Sequence, residues 1–370
     1  MNDNLVLLHL SLINNVGPRA IKKLLDQCPC NGLKDFYNFS VQDFCKQFNF
    51  TAKLAQTIVD GLSDHELLKK ELDLIKKYDI QLIILGSSEY PESLANIYAP
   101  PTVLYCKGAK LNSFEKNMAI VGARKATDYG KKLIEKVVPQ LIENNWTIVS
   151  GGAVGADSMA HAATLRNNGK TIAVLGSGLL KPYPASNLKL FKEIIEKGGS
   201  LVSPFPLQME ALSGNFPARN RVIAGLSRGC LVVQAAAKSG ARITAKYALE
   251  EGRDVFAVPG PIDSELSEGC HLLIQQGAKL LMGPEDILSE YREFVKSEYN
   301  DAVVQNTNSI VELGDPIAQK ILLSCKEAMS IDDITDLIGI ELYEVQNKLF
   351  DLQLEGLVEQ GLCGKWITLI

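Results

Sequence analysis

Residues 79 to 292 alternate short runs of valine and isoleucine with glycine turns and amphipathic helical segments. Unbroken apolar runs are typical of strands buried on both faces of a sheet, and parallel strands need helical crossovers between them. The alternation therefore predicts βαβ units and an α/β fold with a doubly wound parallel sheet. The predicted strands are QLIIL, MAIVG, TIVSG, TIAVLG, SLVS, CLVVQA and DVFAVP, with helices at 129–144 and 157–167 between them.

Residues 1–78 carry apolar side chains at helical spacing and predict a small helical domain, with its first two helices at 5–15 and 18–28. Residues 13–19 resemble one helix-hairpin-helix, in which a glycine turn aims backbone amides at a DNA phosphate. Pro18 fits the first position of the second helix, because its missing N–H is not required there. The alternative is a turn that only packs helices or contacts protein. The sheet domain is predicted to span residues 79–295.

The C-terminal segment predicts a winged helix over residues 310–370. It follows a linker at 296–309 that lacks helical or strand periodicity. A first helix is expected from about Asp315, and Ser330 opens a second with Asp333 as its capping-box partner. A third is expected at Glu341–Leu354, and LVEQGLCGKWITL predicts the hairpin that forms the wing.

The negative charge of the chain is concentrated in this C-terminal segment. The formal net charge is −5, yet residues 296–370 hold five lysines against thirteen acidic residues, which is −8 and leaves +3 for residues 1–295. An acidic third helix repels phosphates, so this winged helix is expected not to bind DNA as winged helices commonly do. Its apolar positions are expected to form its own core: Leu342, Val345, Leu349, Leu352 and Leu354.

Composition excludes several classes of protein. A hydrophobic share of 46% with 22% charged residues is that of a globular chain rather than a disordered one. The N-terminus MNDNLVLLHLSL has no basic leader and too short an apolar run for a membrane span, so a cytoplasmic protein is expected. The eight cysteines lack the paired spacing of zinc ligands, so reduced thiols and no metal or cofactor are expected.

Glycine turns follow two of the predicted strands and indicate an anion site. One strand ends in Gly122-Ala123-Arg124, and the next ends in Ser150-Gly151-Gly152 and opens a helix. In an open parallel sheet ligands bind outside the carboxyl ends of the strands, where helix N-termini and free amides converge. Tight turns also use glycine for backbone reasons alone, which is the competing interpretation of each turn taken singly.

Two further segments add recognition groups at the same edge. Phe216 precedes Arg219, Asn220 and Arg221 at a predicted helix start, and an aromatic ring beside guanidinium groups suits single-stranded nucleic acid. The alternative for Phe216 is a core side chain beneath a capped helix. The segment from Lys238 to Thr244 again presents hydroxyls and amides at a helix N-terminus.

Six motifs occur in the order and spacing of the DNA-processing protein A (DprA/Smf) family, from Tyr90 to about Gly277. They are IVGAR, SGGAVGADSMAH, VLGSGLLKPYP, NFPARNRVIAGLS, SGARITA and GRDVFAVPG. The resemblance implies an extended Rossmann-like fold with an N-terminal SAM or helix-hairpin-helix-like domain and a C-terminal winged helix. It also implies a homodimer formed through the Rossmann-like domain. Members bind single-stranded DNA without sequence preference, protect incoming DNA and load RecA recombinase during natural transformation.

Carried over position by position, the resemblance implies a set of residues that bind single-stranded DNA, with Lys181 as a backbone contact. They are Gly122, Arg124, Ser150, Gly151, Lys181, Phe216, Arg219, Asn220, Arg221, Ser239, Gly240 and Thr244. Three positions depart from the family pattern. Val154 stands where a basic residue is usual, so one phosphate contact is expected to be lost. Pro204 and Gln234 replace acidic residues, which is expected to remove negative charge from the rim of the site.

No catalytic residue is predicted. His161 lies near a glycine turn without a nucleophile or second histidine at motif spacing, so a structural hydrogen bond is expected. An N-glycosidic hydrolase of the nucleotide-binding Rossmann type would need P-G-G-x-G-T with a glutamate. A dehydrogenase would need G-x-G-x-x-G and an acidic residue after the second strand. The chain has neither glycine motif. The two alternatives to DNA binding are a nucleotide-binding enzyme of the N-glycosidic hydrolase type and an adaptor that binds protein rather than DNA.

Overall fold

The structure is a computed structural model that describes residues 3–27, 32–111, 116–291, 315–325, 329–360 and 365–368. The chain divides into two compact units, residues 1–293 and 294–370. The first unit holds both the N-terminal helices and the sheet, so the boundary between residues 78 and 79 stays a prediction. The predicted linker at 296–309 lies outside the described residues. No helix in the described ranges is long and apolar enough to cross a membrane.

The first unit is built on a nine-stranded sheet, in the order β1-β2-β6-β5-β4-β3-β7-β8-β9. The seven neighbouring strands from β6 through β5, β4, β3, β7 and β8 to β9 pair in parallel. Strand β1 pairs antiparallel with β2, and β2 pairs antiparallel with β6. The strands are β1 (Gln81–Ile84), β2 (Val103–Gly108), β3 (Asn117–Val121), β4 (Thr147–Ser150), β5 (Thr171–Val174), β6 (Ser200–Ser203), β7 (Gly229–Val232), β8 (Asp254–Ala257) and β9 (Lys279–Leu280). All seven predicted strands are present, and β2 and β9 were not predicted.

Helices cover both faces of this sheet and its β1 edge. Those before β1 are α1 (Asp3–Leu12), α2 (Pro18–Asp26), α3 (Val41–Phe48), α4 (Ala52–Ser63) and α5 (His65–Tyr78), with a 3₁₀ turn at Leu33–Asn38. Those among and after the strands are α6 (Glu92–Ala95), α7 (Asp128–Glu143), α8 (Ala156–Arg166), α9 (Leu188–Glu196), α10 (Asn215–Gly225), α11 (Gly240–Glu250), α12 (Glu265–Gln275) and α13 (Glu285–Leu288). Helix α2 begins at Pro18, as predicted.

The N-terminal helices share one hydrophobic core with the β1 edge of the sheet. Leu8, Phe36 and Phe44 belong to the same buried cluster as Tyr105 and Leu201 of the sheet. A buried carboxylate strengthens the attachment, because Oε1 of Glu71 on α5 accepts a 2.8 Å hydrogen bond from the backbone N–H of Leu207. Helix α1 ends at Leu12 rather than at residue 15, since Asn15 takes a left-handed backbone conformation with φ of 66°.

The second unit has the elements of a winged helix: α14 (Pro316–Ser324), α15 (Ile331–Ile338), α16 (Leu342–Leu354), β10 (Val358–Gln360) and β11 (Trp366–Thr368). The predicted capping box is present, with Ser330 and Asp333 bonded to each other's backbone amides. Val345, Leu349 and Leu352 are buried, as predicted. The prediction that Leu342 and Leu354 belong to the core was wrong: they are the first and last residues of α16 and are 42% and 73% exposed.

Candidate nucleic-acid interface

A cleft of about 430 Å³ opens at the carboxyl ends of β3 and β7, between α10 and α11. Four segments of the chain and the single residue Leu266 line it, and the segments lie at residues 121–125, 153–157, 216–223 and 236–244. A smaller pocket adjoins it, because Arg124, Ala153, Phe216 and Arg219 line both. The cleft therefore lies where an open parallel sheet places its ligands.

The two glycine turns that were predicted to bind anions cross each other in direct contact. A Cβ on Gly122 would lie 2.7 Å from the Cβ of Ala156, and one on Gly155 would overlap the carbonyl oxygens of Ala123 and Arg124. Gly155 also has a φ of 86°, which L side chains rarely adopt. Only glycine fits at this crossing, and it brings Arg124 to the mouth of the cleft.

Three cationic side chains, Arg124, Lys125 and Lys238, line the cleft and are exposed. The guanidinium of Arg124 lies 5.7 Å from the ring centroid of Phe216, which is half-buried. That ring packs on Gly176 and meets the exposed Tyr183 edge-on, with centroids 6.0 Å apart. The mouth thus combines an aromatic surface with positive charge.

Arg219 lies beneath Phe216 and is only 6% exposed. Its Nη1 donates to the carbonyl oxygens of Gly151 and, at 2.7 Å, Val174, which join the ends of β4 and β5. Asp157 supplies a buried carboxylate nearby, because both side chains border Gly151. A Cβ on Gly151 would overlap the guanidinium of Arg219 and would lie 2.7 Å from Oδ2 of Asp157. Burial raises the pKa of the Asp157 carboxyl, and the charge of Arg219 opposes that shift. Arg219 is therefore a support of the cleft rather than a free phosphate ligand.

The N-terminus of α11 forms the opposite wall. Ser239 caps the helix, since its Oγ accepts a 3.2 Å hydrogen bond from the N–H of Ala241. Nδ2 of Asn220 donates to the carbonyl oxygen of Gly240 at 3.3 Å and so ties α10 to α11. Open space surrounds the position where Gly240 would carry a Cβ. Thr244 also lines the cleft but is 1% exposed, so it forms part of the floor.

Three of the predicted site residues lie elsewhere. Ser150 is buried and its Oγ donates to the carbonyl oxygen of Ile120 at 2.6 Å, which ties β4 to β3. Lys181 forms an ion pair of 3.1 Å with Glu210. Arg221 projects from the opposite face of α10 to Phe216 and Arg219, because helical residues two and five apart do not share a face. The prediction that Ser150 and Arg221 line the pocket with nine other residues was therefore wrong, whereas the backbone contact of Lys181 stays a prediction.

Arg221 faces a different cavity, of about 480 Å³, which the Gly17-Pro18 turn also lines. Its guanidinium is already occupied: it pairs with Glu251 at 2.9 Å and Glu250 at 3.6 Å and stacks 4.2 Å from the Tyr247 ring centroid. The turn of the predicted helix-hairpin-helix therefore faces the back of α10, and its contact with DNA stays a prediction.

The departures from the family pattern have different consequences from those expected. Val154 is 39% exposed and lines the small pocket with Arg124 and Tyr183, where a basic side chain would reach the site. Gln234 is 4% exposed, and its Oε1 accepts a 2.9 Å hydrogen bond from the backbone N–H of Thr127 at the start of α7. Pro204 lines the cavity behind α10. Neither Gln234 nor Pro204 lies on the rim, so that expectation was wrong.

Lys125 and Tyr183 line the site but were not predicted. Lys125 directly follows Arg124, an expected phosphate contact, and this position in the sequence could have indicated that Lys125 lines the site. Tyr183 lies two residues after Lys181, in the KPYP segment. Lys238 begins the segment predicted to present hydroxyls and amides at the N-terminus of α11, and it adds a charge that was not predicted to bind DNA.

His161 and Cys230 are buried titratable residues that do not line the cleft. His161 is buried and its Nδ1 shares a 2.7 Å hydrogen bond with Oγ1 of Thr171, the structural role that was predicted. Burial lowers the pKa of His161 to about 3, so the ring stays neutral near pH 7. Burial also raises the pKa of the Cys230 thiol to about 12. In the described ranges no group of three or more histidine, cysteine, aspartate or glutamate side chains is placed to hold a metal ion.

The sheet topology and the cationic cleft at its carboxyl edge define a Rossmann-like protein. The model of the family described as DNA recombination-mediator protein A matches residues 81–292, and the chain belongs to that family.

Named relatives resemble the chain over most of its length. It is 36% identical to protein Smf of Synechocystis over 95% of both chains. It is 48% identical to DNA processing protein DprA of Streptococcus pneumoniae over 55% of this chain and 71% of that protein. The X-ray structure of that DNA processing protein A from Streptococcus pneumoniae superposes with a TM-score of 0.61 at 37% identity, and covers 74% of this chain and 97% of the other.

Proposed function

We propose that this protein binds single-stranded DNA in the cleft between α10 and α11. The observation that carries the proposal is that three exposed cations, Arg124, Lys125 and Lys238, line the same cleft as the half-buried ring of Phe216. Cations neutralise phosphates, while an aromatic face stacks on any base, so the pairing suits single strands without sequence preference. Membership of a family of DNA recombination mediators supports the same class of ligand.

The geometry of Phe216 argues for single strands over duplex. The ring of Phe216 lies inside a cleft between two helices. A base can stack on this ring only when the face of the base is not already stacked on neighbouring bases, as it is in a duplex. Guanidinium and ammonium groups at the mouth then contact the sugar-phosphate backbone, which carries no sequence information directly.

The first prediction compares single-stranded with double-stranded DNA of the same length and sequence. We expect tighter binding of the single strand, with an affinity that falls steeply with salt. Three phosphate contacts give a slope of log affinity against log salt of about −2 for single strands. Fluorescence anisotropy titrations at several salt concentrations measure both quantities. Equal affinity for the duplex, or binding that is insensitive to salt, would contradict the proposal.

The cellular role that the family implies extends beyond the cleft. We propose that the protein protects incoming DNA in the cytoplasm and loads RecA recombinase onto it during natural transformation. We also propose that it acts as a homodimer formed through the Rossmann-like domain, and that it has no catalytic activity. These proposals rest on the family resemblance rather than on the described contacts.

The second prediction concerns Val154, which lines the small pocket beside Arg124. Val154→Lys is expected to tighten binding of single-stranded DNA by about two- to fivefold at low salt, because it adds one cation within reach of the backbone. It is also expected to make the salt slope steeper by about 0.7. Val154→Gln is the matched control, since it adds length without charge. Equal affinities for the lysine and glutamine variants would show that this turn does not contact DNA.

A further inference from the structure

A second groove, of about 700 Å³, runs along the outer side of α11. It adjoins the cleft, since Lys238, Ser239 and Gly240 line both. The groove begins where the cleft ends, at the N-terminus of α11, and follows the helix to Leu249. A flexible polymer that occupies the cleft can therefore continue into the groove by passing over the N-terminus of α11.

The lining of this groove is cationic. Lys238, Arg242 and Lys246 contribute three positive charges, and none of its described lining residues is acidic. Lys246 is 74% exposed and lies 3.7 Å from Glu250, an exposed pair of the kind that contributes little and leaves the ammonium free to move. Glu250 is also shared with Arg221, at 3.6 Å.

The guanidinium of Arg242 lines the groove and is held by one hydrogen bond. Its Nη1 donates to the carbonyl oxygen of Ala237, while its Nε is buried and has no hydrogen-bond partner in the protein. Two apolar side chains line the groove with these cations. Ile243 is 38% exposed and Leu249 is 48% exposed. Positive groups next to exposed apolar surface match a ligand with a charged backbone and flat, weakly polar bases.

We propose that the groove along α11 is a second segment of the path for single-stranded DNA. Phosphates that leave the cleft at Lys238 bind Arg242 and Lys246, and bases contact Ile243 and Leu249. From Gly240 to Lys246 the helix rises about 9 Å, which extends the path by one to two nucleotides. The inference rests on the proposed function of the cleft and adds a dependence on the length of the DNA.

The test measures the affinity of the full chain for oligothymidylates of about 5 and about 15 nucleotides, lengths within the range of single-strand binding sites. Lys246→Gln is expected to weaken binding of the longer strand by about threefold and to reduce its salt slope by about 0.7. Arg242→Gln together with Lys246→Gln is expected to weaken it by about tenfold. Binding of the shorter strand, which the cleft alone holds, is expected to stay unchanged for the single variant.

Lys192→Gln is the matched control. Lys192 is 78% exposed and pairs with Glu196 four residues later on α9, as Lys246 does with Glu250, but it lines neither the cleft nor the groove. It is expected to bind both strands like the unmodified protein. Analytical ultracentrifugation of the same variants reports the mass of the protein in solution.

The outcomes separate this inference from the proposed function. If the unmodified protein binds both strands and Lys246→Gln changes neither, or weakens both equally, the groove does not carry DNA. A change in mass without a change in the affinity for the longer strand would instead assign the groove to a contact between protein chains. If the unmodified protein binds neither strand, the proposed function fails, and the groove proposal with it.

Discussion

Arg219→Ala is expected to lower the free energy of unfolding of the first unit by about 3–5 kcal/mol, because it removes one partner of a buried charged group. The substitution leaves the carbonyl oxygens of Gly151 and Val174 without their donor and the buried carboxylate of Asp157 without its nearby cation. It also opens a void beneath Phe216, whose ring centroid lies 5.7 Å from the guanidinium. Urea unfolding followed by circular dichroism measures the loss.

Arg166→Ala is the control for this experiment. Arg166 is 57% exposed and forms an ion pair of 3.3 Å with Glu135 on the surface. Exposed pairs of this kind contribute about 0–1 kcal/mol, so this variant should unfold nearly like the original protein. Similar midpoints for the two variants would show that Arg219 is not a structural support, and would return it to the set of candidate phosphate ligands.

Phe216→Ala is expected to weaken binding of single-stranded DNA by about 1–3 kcal/mol, which is roughly five- to 150-fold, because it removes the stacking surface of the cleft. The loss should be similar for every homopolymer, since each base has an aromatic face. Phe216→Tyr should retain most of the affinity, because the ring remains. Anisotropy titrations with several homopolymers measure the effect.

Tyr98→Ala controls for the loss of an exposed aromatic side chain, since Tyr98 is 63% exposed and does not line the cleft. It is expected to bind DNA normally. A loss for Phe216→Ala that is confined to one base would mean recognition of base edges rather than stacking. An unchanged affinity would mean that Phe216 only packs against Gly176, the core interpretation that the sequence left open.

The parallel core of the sheet could be predicted because its strands are unbroken apolar runs. Strand β2 was missed because Val103–Gly108 follows two prolines and includes Tyr105 and Lys107, which weaken the apolar pattern. Its antiparallel pairing with β6 joins residues nearly one hundred positions apart, and the pattern of residues within one strand does not indicate which distant strand it pairs with. Strand β9 has only two residues, too few for any periodicity.

The segment 215–225 shows which part of the site was predictable. Phe216, Asn220 and Ile223 recur at helical spacing and face the cleft, whereas Ala218, Arg221 and Val222 face the cavity behind the helix. Helical periodicity could have separated these two faces in advance. The burial of Arg219 could not be foreseen in the same way, because its hydrogen-bond acceptors are 45 and 68 residues away in the chain.

Gln234 illustrates the limit of comparing motifs position by position. Its substitution for an acidic residue was interpreted as a change of surface charge, but its side chain is bonded to Thr127, 107 residues earlier. The amide both accepts from and donates to that residue, with Nε2 of Gln234 lying 3.1 Å from Oγ1 of Thr127. A neutral amide can serve in this position because it has a donor as well as an acceptor.

The cleft is assembled from residues as far apart in the chain as Val121 and Leu266, which has a consequence for the stability of the sheet. Contacts between such distant residues form only when the sheet and helices between them have folded, so the cleft exists only in the folded unit. By mass action, a ligand that binds only the assembled cleft stabilises every element that holds it, in proportion to the logarithm of its concentration. The resistance of the sheet to heat or protease thus becomes a reporter of cleft occupancy, readable without a labelled ligand.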